Sequence, residues 1–427
     1  MLKRLQAPPY DALAPHLPRP GASDPDTAAR VRAILEDVRA RGDVAVREHT
    51  RRLDGVDLSP EEWEVPGVRC QEALDRLPGA VVTALEVAIQ RVREYHRKQL
   101  QPGFLSKDDR GNALGQRVVP LERVGVYVPG GKASYPSTVI MTVVPAVVAS
   151  VGEIVMTTPP GGTSDVVLAA AHLAGVTRVF QLGGVPGIAA LAYGTGTVPR
   201  VDKIVGPGNA YVTEAKRQVA GAVGIDMLAG PTEVLVIADD TTDVRHVAAD
   251  LIAQAEHDEA ASAWCVTTSA RIAETLEGEL ERQLATAPRR AIARAALERQ
   301  GVLVVVPSRD AAVAVANLRA PEHLELLVED AWDLVEGIRH AGAVFVGRFA
   351  PEPVGDYLAG PSHVLPTAGT ARYVSPLGVY DFVKRISVIA YSRDKLAADA
   401  PHIVALAEAE GLYGHAAAVR GRLKADG

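Results

Sequence analysis

The chain has 427 residues, with 45 Lys and Arg against 52 Asp and Glu, which gives a formal net charge of −7. This length exceeds one ordinary hydrophobic core and predicts two or three domains. The acidic balance excludes generic nucleic-acid binding, which needs a basic surface, and a content of two cysteines excludes a disulfide framework or a cysteine-rich zinc site.

The first segment, residues 1–22, is rich in proline without a sustained hydrophobic period and predicts an N-terminal arm. It lacks the apolar core of a signal peptide, so we do not expect export. The most apolar stretch, 139–151, is short and contains Thr142, Pro145 and Ser150, which argues against a membrane span. We therefore expect a cytoplasmic protein with neither a membrane nor a nucleic acid as partner.

Apolar residues at helical spacing predict helices within 27–53 and 80–100. Beyond residue 123, short β-branched runs alternate with alanine-rich helical patterns. The predicted strands are Arg123–Val128, Glu153–Thr157, Arg178–Leu182, Lys203–Val205, Glu233–Ala238, Val302–Val306 and Ala343–Val346. This alternation is typical of parallel α/β sheets covered by helices on both faces. Helical patterns at 401–408 and 416–424 then predict a C-terminal helical tail.

A predicted helix over 243–257 places Asp250, Gln254 and His257 on one stripe beside its apolar face. Gln254 and His257 therefore project together, and a histidine at this distance from another donor can chelate a metal. The same spacing also occurs at solvated helix ends, and these residues alone favour that interpretation.

An acidic and a basic side chain, Glu322 and His323, follow Pro321 at the end of a helical pattern. Adjacent groups of this kind suit proton transfer. On the dipeptide alone, an ordinary surface turn is the favoured alternative.

Glycines and prolines break up the segment 354–366, which contains Asp356 and His363. We expect this segment to be irregular, so that its side chains can converge on a site. Glu410 and His415 flank a break at 411–414, which the residues alone predict to be a helix-capping loop.

Cofactor binding has no standard fingerprint in this sequence, because the motif that begins at Gly206 lacks the third glycine of Gly-x-Gly-x-x-Gly. Glycines also occur at 129–131, 183–184 and 206–208 after predicted strands. They form either tight turns or places where backbone N–H groups approach phosphate. Neither cysteine lies in such a loop, so no thiol nucleophile for aldehyde oxidation is indicated.

Longer motifs follow one another along nearly the whole chain. They are Arg123-Val-Gly-Val-Tyr-Val-Pro-Gly-Gly, Gly206-Pro-Gly-Asn-Ala-Tyr-Val-Thr-Glu-Ala-Lys, Ala229-Gly-Pro-Thr-Glu-Val, Gln254-Ala-Glu-His-Asp, Pro321-Glu-His-Leu-Glu, Gly355-Asp-Tyr and Ser362-His-Val-Leu-Pro-Thr. In this order they resemble the motifs of the histidinol dehydrogenase family.

This resemblance implies one zinc ion per subunit. The implied ligands are Gln254, His257, Asp356 and His415. It also implies that Glu322 and His323 form the catalytic acid–base pair, in which His323 takes the alcohol proton and Glu322 activates water. The implied substrate contacts are Thr232, Gln254, His257, His323, Asp356, His363, Glu410 and His415.

For NAD, the resemblance implies contacts from Tyr127 and Asn209. A third cofactor position, usually a glutamine in the family, is occupied here by Pro186, which has no side-chain amide. Proline at this place fits the first turn of a helix, where its missing N–H costs little.

The implied fold is α/β, with two incomplete Rossmann-like parallel-sheet domains, one inserted in the other, and a homodimer with shared active sites. The predicted boundaries are an N-terminal arm at 1–22, a first domain with the metal and catalytic residues at 23–125 and 233–376, an NAD-binding domain at 126–232, and an exchanged C-terminal tail at 377–427.

The implied activity is the zinc-dependent, NAD-linked, four-electron oxidation of L-histidinol through L-histidinal to L-histidine, the last step of histidine biosynthesis. One alternative is a related zinc- and NAD-dependent dehydrogenase for another polar alcohol. A second is a non-catalytic zinc-binding homodimer that has lost cofactor use, which the proline at 186 motivates.

Overall fold

The computed structural model describes residues 1–6, 13–17, 24–109, 111–130 and 134–424. Two compact units make up the chain: Met1–Gln99 with Leu121–Phe382, and Leu100–Pro120 with Val383–Gly427. Parts of the predicted arm and of the glycine motif at 129–131 lie outside the described residues.

The strands and helices of the described residues are numbered here in chain order. The strands are β1 (Lys3–Gln6), β2 (Glu64–Val65), β3 (Phe104–Lys107), β4 (Ala113–Pro120), β5 (Arg123–Tyr127), β6 (Glu153–Thr158), β7 (Arg178–Gln181), β8 (Lys203–Val205), β9 (Gly224–Ile225), β10 (Glu233–Ala238), β11 (Ser262–Thr267), β12 (Val302–Val305), β13 (His323–Leu327), β14 (Ala343–Val346) and β15 (Val383–Ala390). The helices are α1 (Pro25–Arg41), α2 (Asp43–Asp54), α3 (Gly67–Arg76), α4 (Gly79–Arg97), α5 (Pro136–Val148), α6 (Asp165–Ala174), α7 (Gly184–Tyr193), α8 (Ala210–Val219), α9 (Val244–Ala255), α10 (Ala270–Leu284), α11 (Arg290–Gln300), α12 (Arg309–Arg319), α13 (Trp332–Val335), α14 (Glu352–Tyr357), α15 (Arg393–Ala409) and α16 (Tyr413–Leu423).

The first sheet has six parallel strands in the order β1-β12-β11-β10-β13-β14. Every residue of β10 and β13 is buried, as expected for central strands covered on both faces. Val234 of β10 pairs with His323 of β13. The segments that lead into these two strands therefore lie side by side at the amino edge of the sheet.

The second sheet has the order β2-β7-β6-β5-β8-β9, in which only the short β2 is antiparallel to its neighbour. From β5 the chain adds β6 and β7 on one side and then returns to place β8 on the other. This reversal is a topological switch point, where the carboxyl ends of neighbouring strands leave a crevice for ligands. The predicted α/β fold with two parallel sheets is confirmed.

Helix α9 connects the hydrophobic core of the first sheet to the candidate site. The Asp243 side chain accepts the Arg245 N–H and so caps the amino end of the helix. Val247 and Leu251 are fully buried in the core formed with β10. Packing of this face fixes the helix on the sheet, and its last turn brings Gln254 to the amino edge.

Helices α1 and α2 contribute to the core of the second sheet. Val31 and Leu35 of α1, together with Trp63, are buried in one cluster with Ile204 of β8. The Trp63 indole donates to the Leu58 carbonyl, which satisfies its buried N–H. Part of the segment 23–125 therefore shares its core with the strands of the predicted NAD-binding domain.

The second unit combines an antiparallel sheet, in the order β15-β4-β3, with helices α15 and α16. Gly411, with φ of 72°, separates the two helices in the left-handed region that favours glycine. The predicted C-terminal helices are confirmed. Among the described residues, no helix combines the length and apolar character that a membrane crossing requires.

Candidate active site

The candidate site lies at the amino edge of the first sheet, where the chain enters β10 and β13. Thr232 and Glu322 each precede one of these strands by one residue, and His323 is the first residue of β13. Glu322 is 7% exposed and His323 is 3% exposed. The surface-turn interpretation of this dipeptide is therefore wrong, because the proline turn leads directly into a buried central strand.

His323 is held as a proton acceptor by a backbone contact. Its Nδ1 lies 3.0 Å from the Glu233 carbonyl oxygen, and a carbonyl can only accept, so Nδ1 carries the hydrogen. The other ring nitrogen, Nε2, is then the basic one. Burial, opposed in part by the Asp356 carboxylate, lowers the pKa of His323 to about 4. The ring is thus neutral at neutral pH and able to take a proton.

Glu322 is fixed by two donors at one carboxylate oxygen. Its Oε2 accepts the Thr232 hydroxyl at 2.7 Å and the Glu233 N–H at 2.9 Å. Burial raises the pKa of Glu322 well above its usual value, although these two hydrogen bonds favour the charged form. A carboxylate with a raised pKa is a stronger base toward water than an exposed one.

Gln254 connects the base to this carboxylate. Its Nε2 donates to the Thr232 hydroxyl oxygen at 2.8 Å, and its Oε1 lies 3.2 Å from His323 Nδ1. The side chain is fully buried. The solvated-helix-end interpretation is therefore wrong for Gln254, whereas His257, one turn further, is exposed.

A group suited to a metal ion lies beside these residues. One ligand atom each from His257, Glu352 and Asp356 lies within 4.8 Å of the others. Two of these three were predicted as zinc ligands. The third, Glu352, was missed, although its spacing of four residues from Asp356 places the two carboxylates on one face of a helix.

The segment around Asp356 is helical, contrary to the prediction that 354–366 is irregular. Helix α14 begins directly after Pro351 and has Pro353 in its first turn. Gly355, one of the residues predicted to break up this segment, lies within the helix, and the prolines before it start the helix because proline is tolerated where the N–H has no intrahelical partner. His363 does lie in irregular backbone.

The donor set and the burial of Glu352 fit a zinc ion. Glu352 is 2% exposed, and its Oε2 has no hydrogen-bond partner among the described residues. A buried carboxylate without a partner is costly, and a cation beside it offsets that cost. Imidazole and carboxylate are both ligands that zinc accepts.

The remaining predicted substrate residues fall in both units. His363 follows Ser362, whose hydroxyl donates to the Met141 carbonyl of α5, and burial lowers the pKa of His363. Glu410 caps the carboxyl end of α15, and His415 lies in the first turn of α16. Both are exposed in the second unit, and their assignment to zinc and substrate stays a prediction.

The predicted cofactor residues lie at the carboxyl ends of strands in the second sheet. Tyr127 ends β5, is 3% exposed, and accepts the Gly184 N–H at 3.1 Å through its hydroxyl. Pro186 lies in the first turn of α7, as predicted, and is buried. Asn209 caps α8 by accepting the N–H groups of the two following positions, 211 and 212.

The backbone at the switch point is tightly packed. Gly206, with φ of 114°, follows β8, and a Cβ there would collide with the Tyr127 carbonyl oxygen. Lys216 donates to the Gly206 carbonyl at 2.9 Å and lies 2.5 Å from Asp226, which in turn accepts the Gly206 N–H. A buried ion pair thus braces a glycine turn at a place that suits a dinucleotide.

Known proteins resemble this chain along almost its whole length. A sequence model of the histidinol dehydrogenase family matches residues 17–423. A histidinol dehydrogenase from Syntrophotalea carbinolica is 52% identical over 396 residues, 92% of each chain. One from Aquifex aeolicus is 52% identical over 392 residues, 92% of this chain and 91% of that one. The crystal structure of histidinol dehydrogenase from Elizabethkingia anophelis has a TM-score of 0.93 at 34% identity, and the match covers 99% of this chain and 98% of that one.

Proposed function

This chain belongs to the histidinol dehydrogenase family of oxidoreductases, and from this premise we propose that it oxidises L-histidinol through L-histidinal to L-histidine with zinc and NAD. The observation that carries the proposal is the buried base His323, which lies beside Glu322 and Gln254. The overall reaction removes four electrons from the substrate and consumes one water molecule.

Zinc, when bound, orients the substrate by accepting its amino and imidazole nitrogens, which are borderline ligands of the kind zinc prefers. We assign its ligands to Gln254, His257, Asp356 and His415. The cluster formed by His257 and Asp356 with Glu352 supports this assignment. Gln254 is already oriented by the Thr232 hydroxyl, so its position does not depend on the ion.

In the first oxidation, His323 takes the proton of the substrate hydroxyl at Nε2. The Glu233 carbonyl keeps Nδ1 protonated throughout, so it fixes both the tautomer and the orientation of the ring. A positive charge develops on the ring as the proton arrives. The Asp356 carboxylate favours that charge, and the Glu322 carboxyl group lies 3.8 Å from His323 Nδ1.

In the second oxidation, Glu322 takes a proton from the water that adds to the aldehyde carbon. The raised pKa of this carboxyl favours the transfer. His323, after releasing the first proton to solvent, then takes the hydroxyl proton of the hydrate, as it did for the alcohol. The same base therefore serves both oxidations, and only the second requires Glu322 as a base.

NAD, when bound, accepts one hydride in each oxidation. We place it at the switch point of the second sheet, beside Tyr127, Pro186 and Asn209. The glycine turn at 206–208 and the contact between Tyr127 and Gly184 support this site. At the position of Pro186, the cofactor meets an apolar ring rather than an amide.

We propose further that the enzyme is a cytoplasmic homodimer with shared sites. Glu410 and His415 belong to the second compact unit, whose two helices expose Leu406 and Tyr413. The same unit also exposes Phe104, Leu105 and Ile389, and this number of exposed apolar side chains on a small unit supports a surface that packs on a partner. Both cysteines are free thiols, in keeping with a reducing compartment.

The proposal is tested with the full-length chain, stripped of metal by a chelator and then given zinc. NADH absorbance should appear from L-histidinol only after zinc is restored, and His323→Ala should abolish it while zinc still binds. Faster turnover of an amino alcohol that lacks the imidazole would instead support a dehydrogenase for another polar alcohol. Zinc binding without NADH from any alcohol would support a non-catalytic dimer.

A further inference from the structure

Two buried carboxyl groups lie near the site without any role in the proposed reaction. Asp250 is on α9, one turn before Gln254, and Glu325 is on β13, two residues after His323. Asp250 is 8% exposed and Glu325 is fully buried. Their side chains lie within hydrogen-bonding reach of each other, and a bond between two carboxyl groups forms when one of them holds the proton.

Glu325 also makes a contact with the helix that carries Asp356. Its Oε1 accepts the N–H of Glu352 at 2.7 Å. Glu352 is the first residue of α14, so this N–H has no partner inside the helix. The Glu325 carboxyl group therefore bonds α9 on one side and the start of α14 on the other.

The elements joined in this way carry the residues assigned to zinc. Helix α9 leads to Gln254 and His257, and α14 carries Asp356 together with Glu352 of the candidate metal group. Helix α14 also packs against β14. Gly355 lies against the Phe345 ring, and a Cβ at this position would come within 2.7 Å of the ring. That contact holds the helix against the sheet, whereas the carboxyl pair links its first turn to α9.

An apolar side chain would suit the surroundings of Glu325 better than a carboxyl group. In the sheet, Glu325 pairs with Val236 on one side and Phe345 on the other. Burying a pair of acidic groups costs folding free energy that apolar residues of similar size would not. The pair is therefore not explained by stability alone.

We propose that Asp250 and Glu325 are positioning residues for the metal group, and that they set the separation between the His257 imidazole and the carboxylates of α14. This inference rests on the proposed zinc site. Removing one residue that orients a metal ligand typically weakens metal binding by about 10- to 100-fold. Loss of the pair should therefore change the zinc Kd more than it changes the stability of the fold.

A pair of substitutions at Glu325 separates positioning from packing. In Glu325→Gln, the amide oxygen can accept the Glu352 N–H and the amide nitrogen can donate to Asp250, so both contacts persist. The zinc Kd should stay within about threefold of wild type. In Glu325→Leu, both contacts are lost, and the zinc Kd should rise by about tenfold or more.

Substitutions at Asp250 provide a second, independent pair. Asp250→Asn can still donate to the Glu325 carboxylate and should bind zinc nearly as wild type does. Asp250→Ala should weaken zinc binding, although by less than Glu325→Leu, because the bond from Glu325 to Glu352 remains. This pair decides the question if Glu325→Leu does not fold.

The control for general destabilisation is Leu326→Ala. Leu326 is the next residue of β13, fully buried on the opposite face in a separate core, and its truncation leaves a cavity away from the carboxyl pair. Its melting temperature should fall, but its zinc Kd should not change. Zinc Kd is measured on the metal-stripped full-length protein by competition with a chromophoric chelator.

Two results would overturn the inference while leaving the proposed function intact. One is wild-type zinc affinity in both Glu325→Leu and Asp250→Ala. The other is an equal loss of zinc affinity in Leu326→Ala and Glu325→Leu, or in Glu325→Gln and Glu325→Leu. If the wild-type chain binds no zinc at all, the proposed function fails and the inference fails with it.

Discussion

The Thr232 hydroxyl is the point at which the water-activating carboxylate and a zinc ligand meet. It donates to Glu322 Oε2 at 2.7 Å and accepts from Gln254 Nε2 at 2.8 Å. Thr232→Val replaces the hydroxyl by a methyl group of similar size and removes both hydrogen bonds without opening a cavity. Thr232→Ser keeps the hydroxyl and is the matched control.

The expected loss of kcat/KM in Thr232→Val follows from the hydrogen bonds that Glu322 and Gln254 retain. Glu322 Oε2 keeps the Glu233 N–H, so it loses one of its two donors, which costs about 1 kcal/mol. The buried Gln254 amide loses its acceptor, which costs about 1 to 2 kcal/mol more. A total of about 2 to 3 kcal/mol corresponds to roughly a 30- to 160-fold loss of kcat/KM.

The assay compares kcat/KM for L-histidinol and for histidinal at saturating NAD and zinc. Thr232→Val should show the full loss on histidinal, because that step depends on Glu322, and Thr232→Ser should stay within about threefold of wild type. Wild-type kcat/KM in the Val variant, or a loss in the Ser variant as large as in the Val variant, would contradict this role of the hydroxyl.

Three further outcomes follow from the same geometry. Glu322→Gln should slow the oxidation of supplied histidinal by at least tenfold more than that of L-histidinol, since only the aldehyde step needs an activated water; equal losses would contradict this role. Tyr127→Phe should raise the KM for NAD about five- to tenfold with little change in kcat, because the N–H at the start of α7 loses its acceptor; an unchanged KM would place the cofactor elsewhere. Inactive Asp356→Ala and His415→Ala chains, mixed so that subunits exchange, should recover roughly a quarter of wild-type activity, because about half of the dimers are mixed and each has one intact site; no recovery would mean that His415 serves its own chain.

The strand pattern could be predicted where β-branched runs are followed by turn-forming residues such as glycine or aspartate. β8, β10 and β14 have the predicted boundaries. The central strand β13 was not predicted, because Glu325 interrupts its apolar run. An acidic residue within an apolar run makes the segment resemble a polar turn. The burial of Glu325 is explained by its partners on α9 and α14, which lie far away in the sequence.

The candidate site was predicted in part from spacing and in part from resemblance. Local sequence placed Gln254 and His257 on one helical stripe, but it could not distinguish a metal site from a solvated end. That distinction depends on contacts between residues far apart in the chain, such as Gln254 with Thr232 and His323. Glu352 was overlooked because the segment 354–366 was predicted to be irregular, whereas a helix begins at Glu352 and extends into it.

Domain membership was the least accessible feature from sequence. A helical period predicts that α1 has an apolar face, but it does not say which sheet that face covers. Val31 and Trp63 are buried with Ile204 of the second sheet. Only the packed structure shows this pairing, since either sheet could have accepted the same apolar surface.

The most direct test of the proposed function is the amount of NADH formed per molecule of substrate. Zinc-loaded full-length protein is given limiting L-histidinol and excess NAD, and both NADH and L-histidine are measured at completion. The shared base His323 and the water-activating Glu322 predict two NADH and one L-histidine for each L-histidinol, without accumulation of the aldehyde. One NADH per L-histidinol with release of histidinal, or no NADH at all, would contradict the proposed reaction.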